Sequence, residues 1–431
     1  MNDKKIESKV NNNNILSKRL GKKFIIFAII FLPLLSSLYI VSINSNDLIS
    51  EGLATPILIL AVLSFLLLIT GIVAVIKHKD ESTQRFKKWL RIILNVFAFL
   101  YVIGGITITS LLYLPMSHFR DWLIPTAMTT LDHRHFATWF YDDYTISYVL
   151  ENHQVIESGE DTNPDLIQIT EPNFEQKTFA NVFEKEIFTK DKGNDLYKII
   201  DINRPGLKGK LAVIYDPSKV KLAISKGTGN TLAGSYGQFV TEMSKDNNAI
   251  IAINAGGFYD PDWNSTGGVP HGIVIKDGKL IANNSKALGV GGLVGFNKEN
   301  KLVLARITAQ QALAAGIRDA VDFGPFLIVN GEASFVKGNG GWGQAPRTAI
   351  AQRKDGIVLF LVMDGRQAAT LGADMNHLCD ILLDYGAYNA VNMDGGTSSV
   401  MTLNHQIITN PRNGSFQAAT RPVPNAWILV K

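Results

Sequence analysis

Residues 348–362 read TAIAQRKDGIVLFLV, and the run continues through Met363 into Asp364-Gly365-Arg366. Two apolar stretches flank Lys-Asp-Gly. Asp-Gly accepts the positive φ of a tight turn, and the residues on either side suit paired strands. Residues 273–283, IVIKDGKLIAN, repeat the design. Further short β-type runs stand at 211–215, 220–224, 249–253, 302–307, 326–329, 390–393 and 427–430. Helical patterns are fewer. Leu371, Met375, Leu378, Cys379 and Leu382 predict a helix over 370–385. On that face Cys379 reads as a packing residue, and as the single cysteine it excludes an internal disulfide and a Cys-based zinc site. Hairpins with scattered helices predict an α+β domain, with a mixed or antiparallel sheet and flanking helices, over 196–431. Thirty of the 37 glycines lie there.

The 431 residues, a formal charge of +4 and a mean hydropathy of +0.10 describe an ordinary globular chain, but the average joins unlike parts. Residues 24–43, 53–76 and 92–114 are apolar and uncharged, each long enough for a helix to cross a hydrocarbon core of about 30 Å. Seven Lys and Arg precede the first run, none separates it from the second, and six separate the second from the third. That alternation predicts three transmembrane helices, a cytoplasmic N-terminus and an extracytoplasmic remainder. The cytoplasmic pieces hold 13 Lys and Arg against four acids, which leaves 92–431 at −3. The basic pI is therefore a topology signal and is no evidence for a nucleic-acid partner. The expected organisation is a tail at 1–23, an anchor at 24–114, an aromatic- and His-rich interfacial stalk and linker at 115–195, and a domain at 196–431. His118, His133 and His135 read as interfacial residues, since no metal-site spacing accompanies them.

Three segments of that domain run from an apolar strand into a glycine-softened polar turn: AIIAINAGGFYD (249–260), IVLFLVMDGR (357–366) and AVNMDGGTSS (390–399). Strand ends present side chains rigidly, and glycine lets the backbone approach a ligand. Asp364 and Asp394 supply paired carboxylates, while Arg347, Arg366 and Arg421 supply guanidinium groups suited to phosphate. Asn254 and Asn392 offer amides to sugar hydroxyls, and the backbone at Gly395-Gly396-Thr397 is a candidate anion-binding nest. Gly338-Asn339-Gly340-Gly341-Trp342-Gly343 matches GxGxxG, but Pro346 follows and no helix opens there, so it reads as a loop at the rim of a site.

The ordered set NAGGFYD, HGIVIKDGK, GPFLIVNGE, PRTAIAQ, VMDGR, NMDGGTSS and RPVPNAW resembles the phosphodiester glycosidase family. This is the domain of the uncovering-type N-acetylglucosamine-1-phosphodiester α-N-acetylglucosaminidase, met also in bacterial envelope proteins of exopolysaccharide type. The resemblance covers about 196–431 and is sharpest from Ala249 onward. It implies that Asn254, Asp364 and Asp394 form the catalytic set. Arg366, Arg347, Thr348, Asn392, Gly395, Gly396, Ser398 and Arg421 are then the substrate-binding residues. Two departures stand out: Gly256-Gly257 delays the aromatics Phe258-Tyr259, and Thr397 replaces a third glycine. If position 397 needs a positive φ, a β-branched residue there is strained.

The implied reaction is hydrolysis between a sugar's anomeric carbon and a phosphodiester oxygen, in envelope or exopolysaccharide metabolism. One aspartate serves as base or nucleophile and the other binds sugar or a metal. The spacing demands no cofactor and is compatible with a divalent cation. The expected partners are a phosphorylated carbohydrate or glycopolymer and the membrane, with no nucleic acid. The competing classes are a non-catalytic glycopolymer-binding module and a glycosyl-phosphate transferase.

Overall fold

The computed structural model describes residues 118–129 and 134–431, apart from 192, 232, 261–265 and 285–290, with 21–26 and scattered positions between 69 and 107. The three expected spans lie almost wholly outside the described residues. Among the described residues no helix is long and apolar enough to cross a membrane. The chain divides into two units. One comprises 1–127 with 133–149, and its described part carries most of α1 (His118–Met128), α2 (His135–Thr138) and most of α3 (Asp143–Glu151). The other comprises 128–132 with 150–431 and holds every strand.

The strands of the second unit open with β1 (Gln154–Ile156), β2 (Tyr197–Arg204), β3 (Leu207–Ile214), β4 (Val220–Ile224), β5 (Ile251–Asn254) and β6 (Ile273–Lys276). Next come β7 (Lys279–Asn283), β8 (Gly292–Asn297), β9 (Leu302–Ala305), β10 (Ile317–Phe323), β11 (Phe326–Val329), β12 (Glu332–Ala333) and β13 (Phe335–Lys337). The series ends with β14 (Arg347–Arg353), β15 (Val358–Met363), β16 (Ala387–Met393), β17 (Met401–Leu403), β18 (Gln406–Ile407) and β19 (Asn425–Leu429). Helices α4 (Val182–Phe188), α5 (Val240–Asp246), α6 (Ala309–Ala314) and α7 (Met375–Asp384) are interspersed. Every described pairing is antiparallel, as the hairpin chemistry predicts.

A seven-stranded sheet of order β12-β11-β16-β14-β15-β3-β2 forms the centre. The opening hairpin is its β14–β15 pair, in register from Arg347 opposite Met363 to Gln352 opposite Val358. β15 is buried on both sides, which is why 358–363 reads as an unbroken apolar run rather than an alternating one. One face, with Leu211, Leu359 and Leu361, packs on Met375, Leu378, Ile381 and Leu382 of α7. The other, with Ile350, Phe360 and Val391, packs on two five-stranded sheets through Ile253, Trp427, Phe296 and Val294. Those sheets run β18-β17-β5-β19-β4 and β7-β6-β10-β8-β9. Their outer faces are closed by Val240 and Met243 of α5 and by Ala309 and Ala312 of α6. A fully buried Leu, Ile or Phe contributes about 1.5–3 kcal/mol, so this double-sided burial dominates the unit's stability.

Two sequence expectations change. The helix starts at Met375, not at 370, because the Asp374 side chain accepts from the backbone N–H of His377 at 3.0 Å and caps it. Leu371 falls in the preceding turn and is exposed. Cys379 packs as expected, and burial pushes its thiol up to about 12. The second change concerns 151–195, expected as linker. It packs into the unit: β1 pairs with β13, Ile167 and Ile187 are fully buried, and the Glu157 carboxylate accepts from Gly291 N–H at 3.1 Å. Its apolar residues come in short separated pairs such as Val155-Ile156 and Leu166-Ile167, so they leave no sustained periodic signal.

Candidate active site

The register of the central sheet sets the geometry. Met363 lies opposite Arg347, and Thr348 opposite Met393. Asp364 and Asp394 therefore leave the same edge of the sheet from strands flanking β14, about two strand spacings or 10 Å apart. The Asp394 N–H donates to the Ala255 carbonyl at 3.0 Å and ties this edge to the end of β5 in the second sheet.

Asp394 is held from three sides. Its Oδ2 meets Arg421 Nη2 at 3.2 Å, its Oδ1 accepts from Gly395 N–H at 3.0 Å, and its carbonyl accepts from Asn254 Nδ2 at 2.6 Å. Its side chain keeps 16% of its surface exposed. Arg421 also donates from Nη1 to Asp260 Oδ2 at 2.9 Å and from Nε to Ser398 Oγ at 2.6 Å, and its guanidinium lies 4.5 Å from the Phe258 ring centroid. Of the residues expected to bind substrate, Arg421 thus meets the carboxylate directly and Ser398 holds Arg421. Asn254, expected to be catalytic, is fully buried. Its Oδ1 accepts from Thr348 Oγ1 at 2.7 Å and from Val400 N–H at 3.3 Å. With both ends of its amide bonded, it is a clamp joining β5, β14 and the Asp394 turn, and Thr348 is spent on the same clamp.

Asp364 sits in a different environment. Its Oδ1 accepts from Asn410 N–H at 2.8 Å, and its own N–H donates to the Lys208 carbonyl at 2.8 Å. Burial raises its pKa, opposed by the Asn410 hydrogen bond and by Lys210 and Lys208. The folded carboxyl thus holds its proton more tightly than the unfolded one, and stability falls as pH rises above the ordinary value of 3.8. Asp364→Asn removes the buried charge and keeps an acceptor for Asn410. The expected result is a melting midpoint about 1–2 °C higher at pH 7 and unchanged at pH 3.5, small because the carboxyl is partly solvated. Thermal melts at the two pH values check this. An equal shift at both would remove ionisation as the cause.

Arg366 links the two carboxyl-bearing turns. It adopts φ +56°, and its Nη1 donates to Thr397 Oγ1 and to the Arg412 carbonyl, both at 3.2 Å. The positive φ of the Asp-Gly-Gly-Thr turn falls on Gly396, at +63°, so Thr397 in place of glycine carries no backbone strain.

Three further groups expected at the site are engaged with protein atoms. Arg347 is buried under the site: Nε donates to the Ala373 carbonyl at 3.2 Å, and Nη2 donates to the carbonyls of Trp342 and, at 2.9 Å, Gly343. Burial pulls its pKa down to about 10, so it stays cationic at neutral pH and pins the 338–343 loop. Asn392 is fully buried with Nδ2 on the Gly324 carbonyl at 2.9 Å. In the Gly395-Gly396-Thr397 segment two N–H groups are already engaged, Gly395 with Asp394 and Gly396 with the Pro346 carbonyl at 2.8 Å. Asp260 and Arg412 belong to the site and escaped the sequence reading. Among the described residues, no three His, Cys, Asp or Glu side chains gather as metal ligands.

Residues 247–430 match the family model described as phosphodiester glycosidase (NAGPA). The SPbeta prophage-derived uncharacterized protein YomE of Bacillus subtilis (strain 168) is 30% identical over 187 residues, which is 42% of this chain and 28% of that protein. Among solved structures, the zebrafish N-acetylglucosamine-1-phosphodiester α-N-acetylglucosaminidase catalytic domain, auto-inhibited by its pro-peptide, is 22% identical. That match covers 56% of this chain and 86% of that one, with a TM-score of 0.45. A hypothetical protein from Synechocystis is 17% identical over 54% of this chain and 61% of its own, with a TM-score of 0.36.

Proposed function

We propose, from the premise that residues 247–430 form a phosphodiester glycosidase domain, that the protein hydrolyses the bond between a sugar's anomeric carbon and a phosphodiester oxygen. The observation that carries this is the pair Asp364 and Asp394 at one edge of the central sheet, on the two strands that flank β14, one with its proton affinity raised by burial and the other ion-paired to Arg421. Carboxyl groups in contrasting environments divide acid and base work between them. Asp394, fixed by Arg421, Gly395 and Asn254, faces the anomeric carbon as nucleophile or base and stabilises its developing positive charge. Asp364, whose carboxyl binds its proton more tightly than an ordinary one, is the partner that exchanges a proton with the reacting groups. The leaving group is a phosphate monoester with a second pKa of about 6, so it departs once its charge is held, and Arg366 holds it.

The three apolar runs and their flanking Lys and Arg support an extracytoplasmic, membrane-anchored placement of this domain. The substrate is then a glycosyl phosphodiester of the envelope or of an exopolysaccharide. The test is release of free reducing sugar from a sugar 1-phosphodiester by the full chain in detergent, with loss of release in the Asp364→Asn and Asp394→Asn variants. An inert parent whose two variants bind glycopolymer as well as it does would leave a binding module in place of a hydrolase.

A further inference from the structure

A cavity of about 610 Å³ opens beside the Asp394 turn, walled by Arg366, Gln367, Leu371, Arg412 and Phe416. Its size is that of a small-molecule site. Arg366 connects it to the turn, for its Nη1 reaches Thr397 Oγ1 and its Nη2 lies 3.2 Å from where a side chain on Gly396 would begin.

Two independent observations single this cavity out. Eight described non-glycine residues adopt positive φ; five are Asn or Asp and one is His, the types that tolerate it. The other two are Arg366 at +56° and Phe416 at +63°, and both line this cavity. Bulky side chains held in that region concentrate at ligand sites, where surrounding structure enforces the strain. The second observation is Arg412. Arg204, Arg306, Arg318, Arg353 and Arg421 each meet a carboxylate. Arg412 meets none among the described residues. Its only side-chain bond is Nη1 to the Phe416 carbonyl at 3.2 Å, and its Nε is buried without an acceptor. Arg412 as a whole is half-buried and lines the cavity, and an anion there supplies an acceptor to a guanidinium whose Nε has none. Beside the two guanidinium groups, the Phe416 ring and Leu371 are exposed apolar surface.

We propose that this cavity binds the aglycone phosphate, the leaving half of the phosphodiester. Arg412 and Arg366 grip the phosphate monoester, and the apolar face of the group it is attached to lies on Phe416. Its place in the reaction rests on the hydrolase reading above, but the binding itself needs no turnover. The shared chemistry is a phosphate monoester on a group with an apolar face, and a sugar or an alkyl chain supplies one.

Titration calorimetry on the full chain in uncharged detergent tests this with inorganic phosphate, glucose 6-phosphate and n-butyl phosphate. At least one organic phosphate is expected to bind about tenfold more tightly than inorganic phosphate, and the tighter of the two names the aglycone class. Arg412→Gln is expected to weaken all three about tenfold or more, as loss of a charge-assisted bond does. Phe416→Ala should bring the organic phosphates down to the level of inorganic phosphate and leave the latter unchanged. Arg412→Lys, which keeps the charge and loses the fork, should fall between parent and Arg412→Gln and serves if the Gln variant melts early. Equal affinities in parent and Arg412→Gln, or a Phe416→Ala loss as large for inorganic as for organic phosphate, would overturn the proposal. If sugar release proceeds while these variants bind as the parent does, this inference alone fails. If binding follows the expected pattern with no sugar release, the hydrolase reading alone fails.

Discussion

Replacing Asp394 with asparagine is expected to lower the turnover of a sugar 1-phosphodiester about 10³-fold, with the melting midpoint within a few degrees of the parent. The shape of the side chain is kept, and its oxygen still accepts from Gly395 N–H. Arg421 loses one partner but retains Asp260 at 2.9 Å and Ser398 at 2.6 Å, so the turn keeps its support. What disappears is the negative charge that the proposed reaction sets against the anomeric carbon, which on that reading matters in the transition state and little in the bound ground state. The loss should therefore appear in kcat with KM nearly unchanged. Steady-state sugar release measures both. A kcat within tenfold of the parent would take Asp394 out of the chemistry and leave it a structural anchor.

The strands that build this edge are legible because each is buried on at least one face and bounded by turn residues. The 358–363 strand and its Lys-Asp-Gly turn declare themselves by composition alone. Which polar side chains face a ligand is a different matter. In a sheet covered on both sides, Arg347, Asn392 and Asn254 point into protein wherever a partner exists, and alternation along the strand does not reveal the partner. Arg347 satisfies carbonyls at 342, 343 and 373 that a linear reading has no reason to bring together. Asp260 reaches the site through Arg421, 161 residues later in the chain, and Arg412 sits in a Pro- and Gly-containing loop with no strand to announce it. The helix start failed for a local reason, since apolar periodicity runs through Leu371 while the Asp374 cap decides where the helix begins. The motif order survives all these shifts because glycines and aspartates at strand ends are fixed by backbone geometry, and backbone geometry is what a sequence encodes most directly.

The second large effect is expected at Asn254, a residue with no exposed surface. Asn254→Ala strips three buried groups of their partner at once: the Thr348 hydroxyl, the Val400 N–H and the Asp394 carbonyl. Each stranded polar group costs about 1–3 kcal/mol, and partial relaxation brings the expected sum to about 3–5 kcal/mol, or roughly 10 °C in melting midpoint. Stability alone would not make Asn254 a positioning residue. The distinguishing measurement is turnover well below the melting range, in parallel with Phe296→Leu. Phe296 lies on β8, in the sheet that carries none of the site side chains, and packs across onto Trp427 of β19; Leu keeps an apolar side chain against that ring, so the truncation is expected to destabilise and leave the Asp394 turn in place. If Asn254 sets the position of Asp394, Asn254→Ala lowers kcat about 10²-fold at a temperature where both variants are folded, while Phe296→Leu keeps parental kcat. Equal kcat in the two folded variants would reduce the clamp to a contribution to stability, and the placement of Asp394 would then rest on Arg421 and Gly395.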